Sequence, residues 1–238
     1  NMLRVFKWRS PMSVGAWTLT LFGGASMAAA LLVEWSVRFG TAVTPTWALL
    51  PLVSIAALTG AVLATYTGVL VGATAIPAWF THRRTLPVHF GVIGLGSAVC
   101  FLELVGYRVP ELHALGLAAA AAETVMGLLF ETWRNGAADR ALREGRSGAM
   151  LRASGLLAGP GSLALRVAGW VPAAAAAFLL GALVSRYAWL EAGRASGVDP
   201  EATLAAQAAS APGRAAESGD VASAGAGRDA PAGRGETP

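Results

Sequence analysis

Cysteine is almost missing from this 238-residue chain, and Cys100 stands alone. A single thiol excludes a disulfide framework and any iron-sulfur or zinc ligand set built within the chain. Histidine is scarce as well. His82, His89 and His113 all fall in loops or at helix ends, whereas a membrane b-type haem is held by histidines projecting from within spans, so no haem or metal is expected in this chain. Charge is thin: 13% of residues are charged, against roughly 25% in soluble domains. With 55% hydrophobic residues and a mean hydropathy of +0.54, that shortage excludes an ordinary soluble domain and leaves an all-α, polytopic membrane protein. The net charge of +4 and pI near 10.0 do not point to nucleic acid, because the basic residues lie in short segments beside apolar spans, where positive-inside orientation accounts for them. No short apolar stretch with a small-residue cleavage site follows Asn1, so the sequence reads as a fragment or interior start rather than a signal peptide. Repeats of solenoid period are not evident.

What is present is led by the stretch from Trp47 to Trp79, which carries no charged side chain. At about 1.5 Å per residue it exceeds the roughly 30 Å of bilayer hydrocarbon, so it must tilt, kink or begin in the interface. Ala64, Gly68 and Gly72 form a small-residue ridge at spacing four, and Tyr66 lies on the other side of the helix. In chain order, residues 1–12 read as a basic interfacial lead-in, with Ser10 and Pro11 as N-cap and N1. About five spans follow, near 13–37, 47–79, 89–107, 112–133 and 162–185, and together they form a bundle over 13–186. The arginine-rich stretch from Arg134 to Leu165 reads as a membrane-side loop, partly an interfacial helix. Pro172 is expected to kink the fifth span and Arg166 to snorkel from its first turns. Residues 187–206 read as an amphiphilic exit segment, and 207–238, rich in Ala, Gly, Ser and Pro, as a disordered tail. The tryptophans at 8, 35, 47, 79, 133 and 189 read as an interfacial belt.

Few residues can carry chemistry. Glu123 sits near the centre of the fourth span and shares a face with Gly116, Ala120 and Gly127, so it points into the bundle. A carboxylate there costs roughly 2.5 to 3.5 kcal/mol unless protonated, paired or hydrated. It is a candidate proton relay or ligand partner; the bland alternative is a neutral Glu bonded to a neighbouring helix. Glu103, one turn from the end of the third span, is a second relay candidate, and more simply reaches water or pairs with Arg108. A hairpin turning near Pro110 separates the two carboxylates in depth by on the order of 12 Å, too far for direct proton exchange. Tyr66 and Thr59 are candidate hydrogen-bond donors to a ligand carbonyl; otherwise Tyr66 bonds a neighbour and the threonines bond their own helix.

Two segments, FKWRSPMSVGAWTLTLFG (Phe6 to Gly23) and YTGVLVGATAIPAW (Tyr66 to Trp79), resemble the polysulfide reductase/NrfD family of membrane subunits, and SRYAWLEAGRASGVDPEATL (Ser185 to Leu204) is similar to that family's closing segment. The resemblance implies a multi-pass subunit of a bacterial inner (plasma) membrane. Such a subunit anchors an iron-sulfur electron-transfer partner, often with a molybdopterin catalytic subunit, and exchanges electrons with menaquinone or ubiquinone and their quinols. The chain begins where the family's middle begins, so the family's early helices are not in it. On this resemblance the quinone role falls to the Tyr66 segment, with Thr59 as a second candidate. Two other readings stay open: a structural anchor without quinone chemistry, and a proton or solute transporter using Glu123. Positive charge at the N-terminal segment, at His82 to Arg84 and from Arg134 to Arg152 places those three on one, cytoplasmic side, and a fifth span then carries the tail to the other.

Overall fold

A backbone amide in hydrocarbon has no water to bond, so a chain this apolar satisfies its peptide groups within helices. The structure, a computed structural model, describes residues 10–39, 46–132 and 136–210. Nearly all of these are helical, and no strand occurs among the described residues. The lead-in over residues 1–9 and the tail beyond residue 210 lie outside the described residues. Among the described residues five helices are long and apolar enough to cross a membrane: α1 (Pro11–Arg38), α2 (Thr46–Gly72), α4 (Leu86–Val105), α5 (Pro110–Thr132) and α9 (Val171–Gly197). The chain is a multi-pass membrane protein. Its shorter helices are α3 (Pro77–Thr81), α6 (Arg140–Arg143), α7 (Gly145–Leu156), α8 (Ser162–Val167) and α10 (Pro200–Ser210).

Proline and glycine set the boundaries. Pro11 opens α1 beside Ser10, whose backbone is extended, but the Ser10 hydroxyl makes no cap bond. The second span stops at Gly72 rather than running to Trp79. Pro77 holds Ile76 extended (φ −73°, ψ 124°), and the helix restarts as α3. Gly106, at φ +113°, closes α4, with its N–H and that of Tyr107 donating to the carbonyls of Glu103 and Leu102. Pro172 does not kink a span. It stands in the first turn of α9, where its missing N–H is not needed, after a break at Gly169 (φ +81°).

Side-chain contacts fix the direction of each helix. Gly15 lies under Tyr66 and Gly60 under Phe22, so α1 and α2 form an antiparallel hairpin. The small-residue ridge of α2 faces α4: Gly94 meets Ala64, and a Cβ at Gly68 would lie 2.5 Å from the Leu86 carbonyl oxygen. The opposite faces of α1 and α2 carry exposed Leu19, Met27, Leu31, Leu50 and Leu58, as a lipid-facing surface does. α5 returns beside α4, bringing Glu123 level with His89.

The stretch read as a loop is instead a further pass through the bundle. From Gly145 to Val167 the chain is helical, broken only by a π-turn at Leu157–Gly161 in which Gly159 leaves helical geometry and Pro160 lacks an N–H. It starts beside the pair His89 and Glu123 and ends with Arg166 bonded to Glu103, at the opposite end of α4. Its length, about 30 Å at ~1.5 Å per residue, suffices to cross hydrocarbon. α9 then runs back: Ser162 bonds the Ala174 carbonyl, Ser185 meets His89, and Ser196 bonds the Ala78 N–H. The chain therefore returns to the basic end, and α10, to which residues 207–210 belong, docks there through Arg140, Asp199 and Glu201. The fifth-span boundary of 162–185 thus gives way to Val171–Gly197, and the exit segment is the end of that helix plus α10. The tryptophans divide: Trp35 and Trp47 are exposed, but Trp189 is buried and its carbonyl accepts from Trp79, so these two are core.

With Cys100 fully buried, introduced cysteines report sidedness. Arg84→Cys and Leu204→Cys should react with an impermeant maleimide from the same side of the membrane, and Arg108→Cys from the opposite side. Leu204→Cys grouping with Arg108→Cys would mean that the chain makes five passes.

A buried His-Glu pair in a lateral cleft

The inner stripe of α4 carries His89, Ile93, Gly96, Cys100 and Glu103 at helical spacing, all buried. Its two ends hold different chemistry. At the far end Arg166 donates to both oxygens of Glu103, at 2.8 and 2.7 Å, and to the Cys100 sulfur at 3.2 Å. Gly116 leaves room for this guanidinium, since a Cβ there would strike it. Arg166 does not snorkel, and Glu103 neither reaches water nor pairs with Arg108, because a bidentate partner within the protein satisfies both charges where water is excluded. Cys100, Ala119, Ala120, Ala158, Ala175 and Phe178 fill the space above this pair as a packed apolar layer.

At the basic end, His89 in the first turn of α4 faces Glu123 of α5, with Nδ1 and Oε1 3.4 Å apart and both side chains at most 5% exposed. His89 Nε2 lies 3.2 Å from the Ser185 hydroxyl of α9. Glu123 points into the bundle, as its helical spacing predicts, but it is reached from one end. Fourteen residues of α4 separate its partner His89 from Glu103, about 21 Å at ~1.5 Å per residue. That exceeds the separation inferred from a hairpin at Pro110, and the intervening layer is apolar and packed, so the structure does not join the two carboxylates.

Neither His89 Nδ1 nor Glu123 Oε1 makes a hydrogen bond among the described residues. Buried polar atoms are nearly always paired, and an orphan calls for a ligand or water. Both residues line a cleft of about 350 Å³ bounded by α5, α6, α7 and Pro160. Phe130 and Leu142 form apolar walls, and Leu128 and Leu156, 62% and 64% exposed, flank the opening. The cleft thus opens sideways between α5 and α7. Arg143, Arg152 and Glu131 stand at its rim on the basic end. The π-turn shapes this wall, since Gly159 lets the chain approach the Thr124 backbone and bends α7 away from α5.

Tyr66 and Thr59 are not among the cleft residues. The Tyr66 ring covers Gly15 on α1, and the Thr59 hydroxyl donates to the Ile55 carbonyl at 2.6 Å. Of the four candidates only Glu123 meets the cleft. His89 was missed as the neighbour of Glu123, and Arg166 as the partner of Glu103. The one available signal was an arginine set in an apolar run, which always needs a partner; nothing in the spacing links His89 to Glu123. No family model matches this chain, and neither a curated protein nor a solved structure does.

The Glu103–Arg166 pair should behave as a structural lock. Glu103→Leu leaves a buried guanidinium unpaired and should destabilise the folded chain by about 3 to 5 kcal/mol, read as unfolding in mixed micelles. Arg166→Met added to it should recover most of that loss, and failure to do so would mean that the pair has a further partner.

Proposed function

We propose that this chain is the quinone-reactive membrane subunit of a redox complex, and that its quinone or quinol site is the cleft at His89 and Glu123. The observation that carries the reading is His89 Nδ1 and Glu123 Oε1, 3.4 Å apart and neither in a hydrogen bond, at the base of an apolar cleft with Leu128 and Leu156 exposed at its mouth. A quinone headgroup asks for an apolar slot with one or two hydrogen-bonding groups at its carbonyls. A lateral mouth between Leu128 and Leu156 lets an isoprenoid tail stay in the bilayer while the ring enters. Quinone supplies two-electron chemistry coupled to two protons, and the chain's part is to bind, orient and handle protons. If Ser185 donates to His89 Nε2, then Nδ1–H faces the Glu123 carboxylate; if Nε2–H donates to Ser185, Nδ1 can accept a proton from a neutral Glu123. In either tautomer one proton sits on Nδ1 or on Oε1, where a bound carbonyl oxygen can take it up or return it.

The resemblance of the Phe6–Gly23, Tyr66–Trp79 and Ser185–Leu204 segments to the polysulfide reductase/NrfD family supports the same reading. It extends it to an iron-sulfur partner, with a molybdopterin subunit beyond it, in a bacterial inner membrane. The arginines at 83, 84, 140, 146 and 152 all lie toward the end of the bundle where Ser10 and α10 lie, so positive-inside bias supports a cytoplasmic location for that end. The transporter reading is less well supported, because the cleft opens to lipid at one level and the carboxylates at its two ends are separated by a packed layer.

The test is binding of a menaquinone or ubiquinone analogue to the full chain in nanodiscs. His89→Phe and Glu123→Leu should each weaken affinity up to roughly tenfold, the value of one net hydrogen bond of about 0.5 to 1.5 kcal/mol, and Tyr66→Phe should leave it unchanged. Loss of affinity in Tyr66→Phe alone would move the site to α2, and no binding at all by the native chain would favour the anchor reading.

A further inference from the structure

Behind the cleft stands a second buried histidine-carboxylate pair. His82, in the turn after α3, has Nε2 2.8 Å from Oδ1 of Asp139 in the loop before α6, and the two side chains are 3% and 6% exposed. The two imidazoles share one aromatic partition. Phe130, a wall of the cleft, lies 5.3 Å from the His89 ring and 5.8 Å from the His82 ring, centroid to centroid. Trp189 lies 6.1 and 5.9 Å from the same two rings. The groups facing His82 are thus Asp139 from the loop, Phe130 from α5 and Trp189 from α9, with His89 of α4 beyond those rings. Besides His89 Nδ1, a second polar atom here is unsatisfied among the described residues: the fully buried Trp189 Nε1–H has no hydrogen-bond partner. A buried donor in that state calls for a partner, and a water can supply one.

We propose that the His82–Asp139 pair is the proton port of the cleft, carrying protons between Glu123 and the aqueous surface at the basic end of the bundle. Three contacts set the route, Glu123 with His89, His89 with Ser185 and His82 with Asp139, and a water would join the last two. Glu123 Oε1 exchanges a proton with His89 Nδ1, and His89 Nε2 with the Ser185 hydroxyl. One turn along α9, a water on the Trp189 indole would bridge to His82, whose Nε2 passes the proton to Asp139, a buried residue next to the half-exposed Arg140. Each transfer moves one proton and changes no oxidation state, so no oxidant or reductant enters, and each imidazole returns to its first tautomer before the next proton follows. The inference deepens the quinone reading, because a headgroup taking up or releasing two protons needs such a route. It does not require that the ligand be a quinone.

The test therefore uses the ligand-free full chain in lipid. After a pH jump, time-resolved infrared follows the carboxyl band of Glu123, identified by its loss in Glu123→Gln. In the native chain the band should re-equilibrate with bulk pH, and His82→Gln and Asp139→Asn should each slow it at least tenfold, with Asp139→Glu restoring most of the rate. Quinone-analogue affinity, measured separately, should change by less than twofold in these variants, which separates a port from a fold defect. Unchanged relaxation in His82→Gln and Asp139→Asn would overturn the port, as would a Glu123 band that never responds to bulk pH. Absence of quinone binding alongside slowed relaxation would instead overturn the quinone reading and leave the port standing.

Discussion

Charge inside the bundle has nowhere to go but another side chain, and that constraint arranges the rest of the molecule. Arg166 reaches Glu103 because both lie where water is excluded, and bringing them together requires the chain from Gly145 to Val167 to pass through the bundle. Gly116 has no side chain where the guanidinium lies, and the π-turn at Leu157–Gly161 absorbs the mismatch between a helix that must touch Thr124 and one that must deliver Arg166. Without that pair, a segment this rich in arginine and glycine would rest at the membrane surface.

The same pass creates the cleft. α5 and the Gly145–Val167 segment meet closely at Gly159 and Thr124 and diverge toward the basic end, leaving a wedge whose base is His89 and Glu123. The polar groups of α4 are therefore used at both ends for opposite purposes. One end is closed by a bidentate ion pair with a packed alanine and phenylalanine layer above it, and the other keeps two polar atoms unpaired. A lock at one end is what lets the other stay open, because the helices around the cleft are held by contacts they do not make there. The basic loop and α10, joined through Arg140, Asp199 and Glu201, cap the aqueous end beside His82 and Asp139.

The small-residue ridge on α2 and the apolar faces of α1 serve a different task. Gly68 and Ala64 let α2 lie against α4, and the remaining surface of the hairpin faces outward with leucine and methionine. Tyr66 is spent on this hairpin, covering Gly15. None of the cleft residues lies on α1 or α2.

Composition alone determined that the chain is helical and crosses a membrane, since a polypeptide with so little charge and such long apolar runs has no other way to satisfy its backbone. Periodicity determined that Glu123 points inward and that Gly68 and Gly72 pack, because one helix's faces follow from its own spacing. Pairing was beyond it. Glu103 with Arg166, Glu123 with His89, and His82 with Asp139 each join elements far apart in the chain. Hydropathy also passed over the Gly145–Val167 segment, whose arginines and glycines lower its average although Arg166 is paired with Glu103 inside the bundle. Only the packed bundle decides these, because a polar group's cost in a membrane depends on what stands opposite it, and that is set by three-dimensional contact rather than by position along the chain.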